Sequence, residues 1–396
     1  MKAKFLETIL AVGILALVIS AFAQNWTQTS APTNASWIGI ASSADGKIIC
    51  AVNSDSAAEF ILSTNSGVTW TNNSYQTSQL GGYGSVASSA DGTILIASLY
   101  TNGFGNYFFV STNSGNTWVQ TSVSGSDAVA SSSDGAKLAA ASIASGFIYT
   151  STNFGSTWQL SGASSNFWES LASSADGTKL AAVAQNEIII STNSGIAWTT
   201  NTSLSLGFVR LSSIASSADG GILAIAGGNV YVSTNSGGSW ILTPVTGYSV
   251  ASSADGKRLA VANDPLFGGQ TQIYISTNSG LNWTTNNVPF SGSCVASSAD
   301  GCKLIVGAPR PGTKQGGIWI GQITPSPQLS IKPANGKLAL SWIVPSTNFV
   351  LQQNSNLSAA NWAMLSNSPT LNLTNLQDEI SFSPSNGSGF FRLIAQ

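Results

Sequence analysis

Ser63-Thr64-Asn65-Ser66-Gly67-Val68-Thr69-Trp70 decides the fold, because the same eight-residue pattern returns five more times. The copies run Ser111 to Trp118, Ser151 to Trp158, Ser191 to Trp198, Ser233 to Trp240 and Ser276 to Trp283, with Phe154 for the second Ser in one of them. A second signature, Ala-Ser-Ser-Ala-Asp-Gly, precedes each copy and returns once after the last. Its aspartates are Asp45, Asp91, Asp134, Asp176, Asp219, Asp255 and Asp300, spaced by 46, 43, 42, 43, 36 and 45 residues. A period near 43 built from short apolar runs is that of a propeller or a similar array, in which one unit cannot bury its faces alone.

Each unit reads as four strands. In the first these are Trp37 to Ser43, Lys47 to Val52, Glu59 to Ser63 and Val68 to Asn72, called a to d below. Asp-Gly between apolar runs is a hairpin signal, since both residues tolerate positive φ. In the eight-residue pattern the Asn side chain can accept backbone N–H bonds, Gly supplies a conformation closed to other residues, and Trp covers the hairpin.

Ser-Thr-Asn-Ser-Gly-x-x-Trp resembles the Asp-box, Ser-x-Asp-x-Gly-x-x-Trp, of the sialidase-type (BNR) β-propellers. The box also occurs in bacterial neuraminidases, xyloglucan-cleaving glycosidases, sortilin-type receptors and the photosystem II stability/assembly factor family. The resemblance implies an all-β, seven-bladed propeller over residues 24–324, with the box between strands c and d. All six copies carry Asn where the family has Asp, which keeps the acceptor oxygen and drops the charge. The seventh Asp-Gly turn, at Asp300, is followed by a strand at Ile318 to Ile323 but by no box. Asn25-Trp26-Thr27 should therefore supply the outer strand of the seventh blade and close the ring.

The ends are different in kind. Lys2 and Lys4, the apolar run Ile9 to Ile19 and Ala21-Phe22-Ala23 before Gln24 read as a signal peptide over residues 1–23. The run is shorter than the roughly 20 residues that span a bilayer, so the mature protein is expected outside the membrane, secreted, periplasmic or at the cell surface. Thr324-Pro325-Ser326-Pro327 reads as a linker, and residues 325–396 as linker plus a small β-sandwich domain, similar to a fibronectin-III-like module.

Composition narrows the function. Only 8% of residues are charged, and a net charge of −2 gives no basic field for nucleic acid. With 43% hydrophobic residues and 12 Trp, the chain can fill a core. There is no His, which excludes a Ser-His-Asp triad and His metal ligands. No cofactor or metal site is expected. Cys50, Cys294 and Cys302 are too few for a disulfide framework; a Cys294–Cys302 bridge is disfavoured by the turn between them, and a Cys50–Cys294 bridge lies open.

The a–b and c–d turns repeat, so they are structural. The b–c and d–a connections vary, so differential chemistry belongs to their face. Long b–c loops at Asn53 to Ala58, Tyr100 to Tyr107, Asn263 to Gln272 and Ala308 to Gly317 would raise one wall. Six residues before each Asp stand Gly39, Ser85, Ala128, Ser170, Ser213, Ser249 and Cys294, small enough for strands converging on an axis. Around them Trp37, Tyr83, Trp168, Arg210, Tyr248 and Arg310 are candidate ligand contacts, since aromatic faces with a few charges suit sugars or peptides. Asp127 and Glu169, in adjacent blades, form the candidate carboxylate pair for glycoside hydrolysis. Three arginines, as the sialidase resemblance requires, do not converge, because Arg258 follows an Asp-Gly turn on the opposite face. The expected function is an exported binding or scaffold module for an extracellular glycan or protein. A sialidase- or xyloglucanase-type hydrolase and a purely architectural role are the alternatives.

Overall fold

The computed structural model describes residues 24–53, 60–73, 84–101, 105–125, 127–142, 145–204, 211–263, 272–290, 292–308, 316–323, 329–334, 337–344, 349–358, 361–365, 368–382 and 390–395. All regular structure among them is β. Seven antiparallel sheets follow in chain order, one per Asp-Gly turn. Blade 1 is Trp37–Ser42, Ile49–Asn53, Phe60–Ser63 and Thr71–Asn72, and the next five repeat this order. In blade 5 strands b and c run together as Leu223–Ser233, with Gly228 at φ 84° inside the hairpin. The seventh blade takes Cys294–Ser297, Lys303–Ala308 and Gly317–Gln322 from the end of the repeats and Asn25–Gln28 from the start. The register Asn25↔Gln322 to Gln28↔Trp319 closes the ring as the sequence implies.

Strand alternation explains the continuous apolar runs. In Leu180–Val183 every residue is buried, because Leu180 and Ala182 face blade 3 while Ala181 and Val183 face blade 5. Side chains on successive residues point to opposite faces of a sheet, and here both faces are covered. Each of the seven blade-to-blade interfaces holds its own apolar cluster.

The Ser-Ser-Ala-Asp-Gly turns do a job that spacing alone does not reveal. The N–H of Ala44 donates to the carbonyl of Ala90, and the donation passes through Ser133, Ala175, Ala218, Ala254 and Ala299 back to Ala44, each bond 2.7–2.8 Å. A closed circle of backbone bonds thus ties the seven turns together and satisfies groups that would otherwise be buried unpaired. Within a turn, Ser43 Oγ donates to Asp45 Oδ1 at 2.7 Å and accepts from Ile48 N at 3.0 Å, while Asp45 Oδ1 also accepts from Lys47 N at 3.0 Å. Only the Gly of this turn, Gly46 at φ 69°, has positive φ. Asp acts through its carboxylate rather than through a left-handed backbone.

The eight-residue box is likewise a closed hydrogen-bond unit. Ser111 Oγ accepts from Gly115 N at 2.8 Å and donates to Asn113 Oδ1 at 3.0 Å, which accepts from Thr117 N at 2.9 Å. Asn113 Nδ2 then donates to Thr117 Oγ1 at 2.9 Å, a bond that a carboxylate could make only by accepting. The residue before the Gly is also left-handed in every copy, from Ser66 at φ 60° to Ser279 at φ 55°, and Phe154 is forced into the same region at φ 60°.

After blade 7, Ser330–Ala334, Lys337–Ile343, Gln377–Phe382 and Thr370–Asn372 form one sheet, and Ala363–Met364, Phe349–Asn354 and Phe390–Ala395 another. They share a core of Leu340, Trp342, Leu351, Ile380 and Leu393. This sandwich is not a bare spacer. Val344, with Ile343 and Leu376, packs against the turn alanines Ala44, Ala90, Ala254 and Ala299. Ser133 Oγ donates to Ala175 O at 2.8 Å and also contacts Leu373 O. Leu376, at φ 53° and half-buried, lies in the narrow mouth, of about 150 Å³, that these turns surround. The three cysteines are free and buried, and burial pushes the thiols of Cys50 and Cys302 up to about 12.

Candidate functional site: the central cavity

At the other end of the inner strands the bore widens to a cavity of about 530 Å³. Gly39, Ser85, Ser170, Ser213, Ser249 and Cys294 line it, six residues before their turn Asp, whereas Ala128, at the same place in blade 3, is buried in the blade 3–blade 4 core. Small size is one reason for these residues, and bonding is a second that the sequence pattern does not show. Ser170 Oγ accepts from Ile214 N at 3.2 Å, Ser213 Oγ from Val250 N at 3.1 Å and Ser249 Oγ from Val295 N at 3.1 Å. Three hydroxyls thereby join blades 4 to 7, and each keeps its own hydrogen to donate.

Asp127 and Glu169 stand one residue earlier, at equivalent places in blades 3 and 4, and both line the cavity. They are half-buried. Trp168 also lines it but is only 1% exposed, with its indole N–H buried and without a hydrogen-bond partner. Trp37 is fully buried, its Nε1 donating to Pro32 O at 3.1 Å within the blade 7–blade 1 core. Both indole faces are therefore taken up by blade packing, which removes them as stacking platforms. The bulk that suggested ligand contacts instead fills the widening gap between blades. Tyr248 is half-buried, its carbonyl accepting from Ser212 Oγ at 2.7 Å, and stands outside the described wall. Tyr83, Arg210 and Arg310 lie outside the described residues, as does most of the four long b–c loops. In blade 2 the span read as a loop is largely strand, since the ladder continues to Thr101↔Gly105.

Of the remaining acids, Glu187 is engaged by Asn166 Nδ2 at 2.6 Å and Thr200 Oγ1 at 3.2 Å. The seven turn aspartates each accept from the Ser hydroxyl two residues earlier at 2.5–2.7 Å. For Asp45, Asp91 and Asp176 burial works upward, but hydrogen bonds from that Ser and from the N–H two residues on hold the carboxyl below the usual range. At Asp219 the bond from Ser217 is the largest influence, with the same net direction. Among the described residues no three His, Cys, Asp or Glu side chains group to hold a metal, and no helix is long and apolar enough to cross a membrane.

No protein-family model matches this chain, and no curated protein sequence does. Solved structures do. YCF48 bound to D1 peptide superposes with a TM-score of 0.56 at 18% identity, covering 78% of this chain and 99% of that one. The GH74 xyloglucanase from Xanthomonas campestris gives a TM-score of 0.59 at 14% identity over 81% of this chain. The Niastella koreensis GH74 enzyme gives 0.58 at 15% identity over 86%. This chain spans 59% and 60% of the lengths of those two enzymes. Identities this low speak for architecture and not for activity: the chain is an all-β protein of the β-propeller fold.

Proposed function

We propose that this protein is an exported propeller of the Asp-box type that binds an extracellular ligand, protein or glycan, in the central cavity. One observation carries the proposal. The bore is polar at the start of the inner strands and forms there a cavity of about 530 Å³, of the size that small ligands and chain segments fill. The peptide-bound propeller among the structural neighbours supports a binding role for such a scaffold. Arrays of peptides and glycans probed with the full mature chain test it. Ligands should be retained by the unaltered protein and lost in Ser85→Phe, which fills the cavity from its wall. Retention in the folded Ser85→Phe variant, or no ligand at all, refutes the proposal.

A hydrolase is the second reading, favoured by Asp127 and Glu169 facing one cavity from adjacent blades and by GH74 enzymes among the neighbours. Two carboxylates about 5–10 Å apart can act as acid and base or nucleophile on a glycosidic bond. Turnover of fluorogenic glycosides or β-glucans that Glu169→Gln abolishes would establish it. Turnover unchanged in that variant removes the assignment.

A further inference from the structure

Resting on the export proposed above, with residues 1–23 removed, we propose that Gln24 heads the mature chain as a pyroglutamyl lactam, a blocked end that guards the strand closing the ring. The cleavage signal Ala21-Phe22-Ala23 leaves Gln24 as the new first residue. A glutamine in that position carries both reactants, an α-amine and a side-chain amide carbon. The amine ionises at about pH 8, so at neutral pH part of it is the free nucleophile. Its nitrogen lone pair attacks Cδ and the N–Cδ bond forms. The Cδ–Nε2 bond then breaks, and Nε2 leaves as ammonia with a proton from the attacking nitrogen. The step needs no oxidant, metal or partner residue.

The seat of Gln24 favours the product. Gln24 is 7% exposed and lies against Gly321 in the third strand of blade 7, where a Cβ would come within 2.7 Å of Gln24 Cδ and 3.0 Å of its Cγ. The lactam keeps both of these carbons. The amide is served less well, since Oε1 is buried without a hydrogen-bond partner, and an ionised amine on so covered a residue would lose hydration. Cyclisation removes that charge and both Nε2 hydrogens, and of these polar groups the carbonyl and one N–H remain.

The topology gives the block its use. The strand Asn25–Gln28 begins at the next residue and is the outer strand of blade 7, paired from Asn25↔Gln322 to Gln28↔Trp319. Trimming from a free amine would remove these rungs one at a time and soon reach Trp26, which packs edge-on against Phe290. Proteolysis concentrates at chain ends, and an exopeptidase that grips a free α-amine cannot start on a lactam.

The intact mass of the freshly exported protein tests this. The chain should weigh about 17 Da less than residues 24–396 with a free amine, the difference being the ammonia lost. Incubation with a broad-specificity aminopeptidase should leave its mass and Tm unchanged. Gln24→Ser, exported with the same leader, should show the free-amine mass, and the same incubation should shorten it and lower its Tm by about 3 °C or more. A free-amine mass for residues 24–396 of the unaltered protein, or cleavage at another bond, overturns the inference and leaves export standing. Equal resistance of the two proteins to the aminopeptidase overturns it as well. A chain that stays in the cell with residues 1–23 attached sinks both. Should Gln24→Ser not be exported, the mass of the unaltered protein still decides.

Discussion

Replacing Trp26 tests whether the ring is held shut by its first strand. Trp26 sits in the N-terminal strand, largely buried in the blade 6–blade 7 cluster, with its ring edge-on to Phe290 at 5.3 Å. Phe290 in turn stacks on Trp319 at 4.8 Å. Truncating a largely buried Trp to Ala costs about 3 kcal/mol in lost transfer and packing. Against this, the Trp26 indole N–H is buried without a partner, and removing an unsatisfied donor returns about 1 kcal/mol. The net is a loss of about 2 kcal/mol, which for a propeller of about 300 residues lowers Tm by about 3 °C. Trp26→Phe keeps most of the apolar area and sheds the orphan donor, so its Tm should stay within about 1 °C of the unaltered protein. Thermal unfolding followed by circular dichroism reads both variants. Removing residues 24–30 altogether should lower Tm further and speed hydrogen exchange at Ala299, whose N–H crosses from blade 7 to blade 1. If Trp26→Ala and the deletion both melt like the unaltered protein, the ring does not depend on this closure.

Ser111→Ala strands the buried Gly115 N–H and should cost about 1–3 kcal/mol, read as a lower urea midpoint with unchanged m. Phe154, 44% exposed and left-handed, should give way to Asn with a gain of about 0.5–1 kcal/mol in the same measurement. The carboxyls of Asp45, Asp91, Asp176 and Asp219 are lowered in the folded state. Their contribution is therefore complete above the unfolded carboxylate value of about 3.9 and is lost as pH falls through the folded values. Urea midpoints should be flat from about pH 7 to 5 and drop below about pH 4. Cys50 and Cys302, buried and with thiols raised to about 12, should resist iodoacetamide at pH 8 until the protein is unfolded.

The period of the Asp-Gly turns and of the Ser-x-Asn-x-Gly-x-x-Trp box was enough to read a ring of β-blades, its strand order and its closure by Asn25–Gln28. Each blade is a local object, with turn chemistry and apolar alternation written within about 43 residues of chain. The small residues around the axis were legible for the same reason, since the Asp-Gly turn sets the register of strand a. The circle of bonds from Ala44 through Ala299 was not, because it joins residues a whole repeat apart and uses backbone groups that every sequence possesses. The candidate site divides along the same line. Asp127 and Glu169 were placed at the cavity by register alone. Trp37 and Trp168 stand one residue earlier in register, and only packing between blades decides that their rings turn inward to the core. The placing of Leu376 against the turns at the far mouth came from tertiary structure entirely. A half-buried Leu in a turn has no signature until the turn alanines it rests on have been brought together from distant blades.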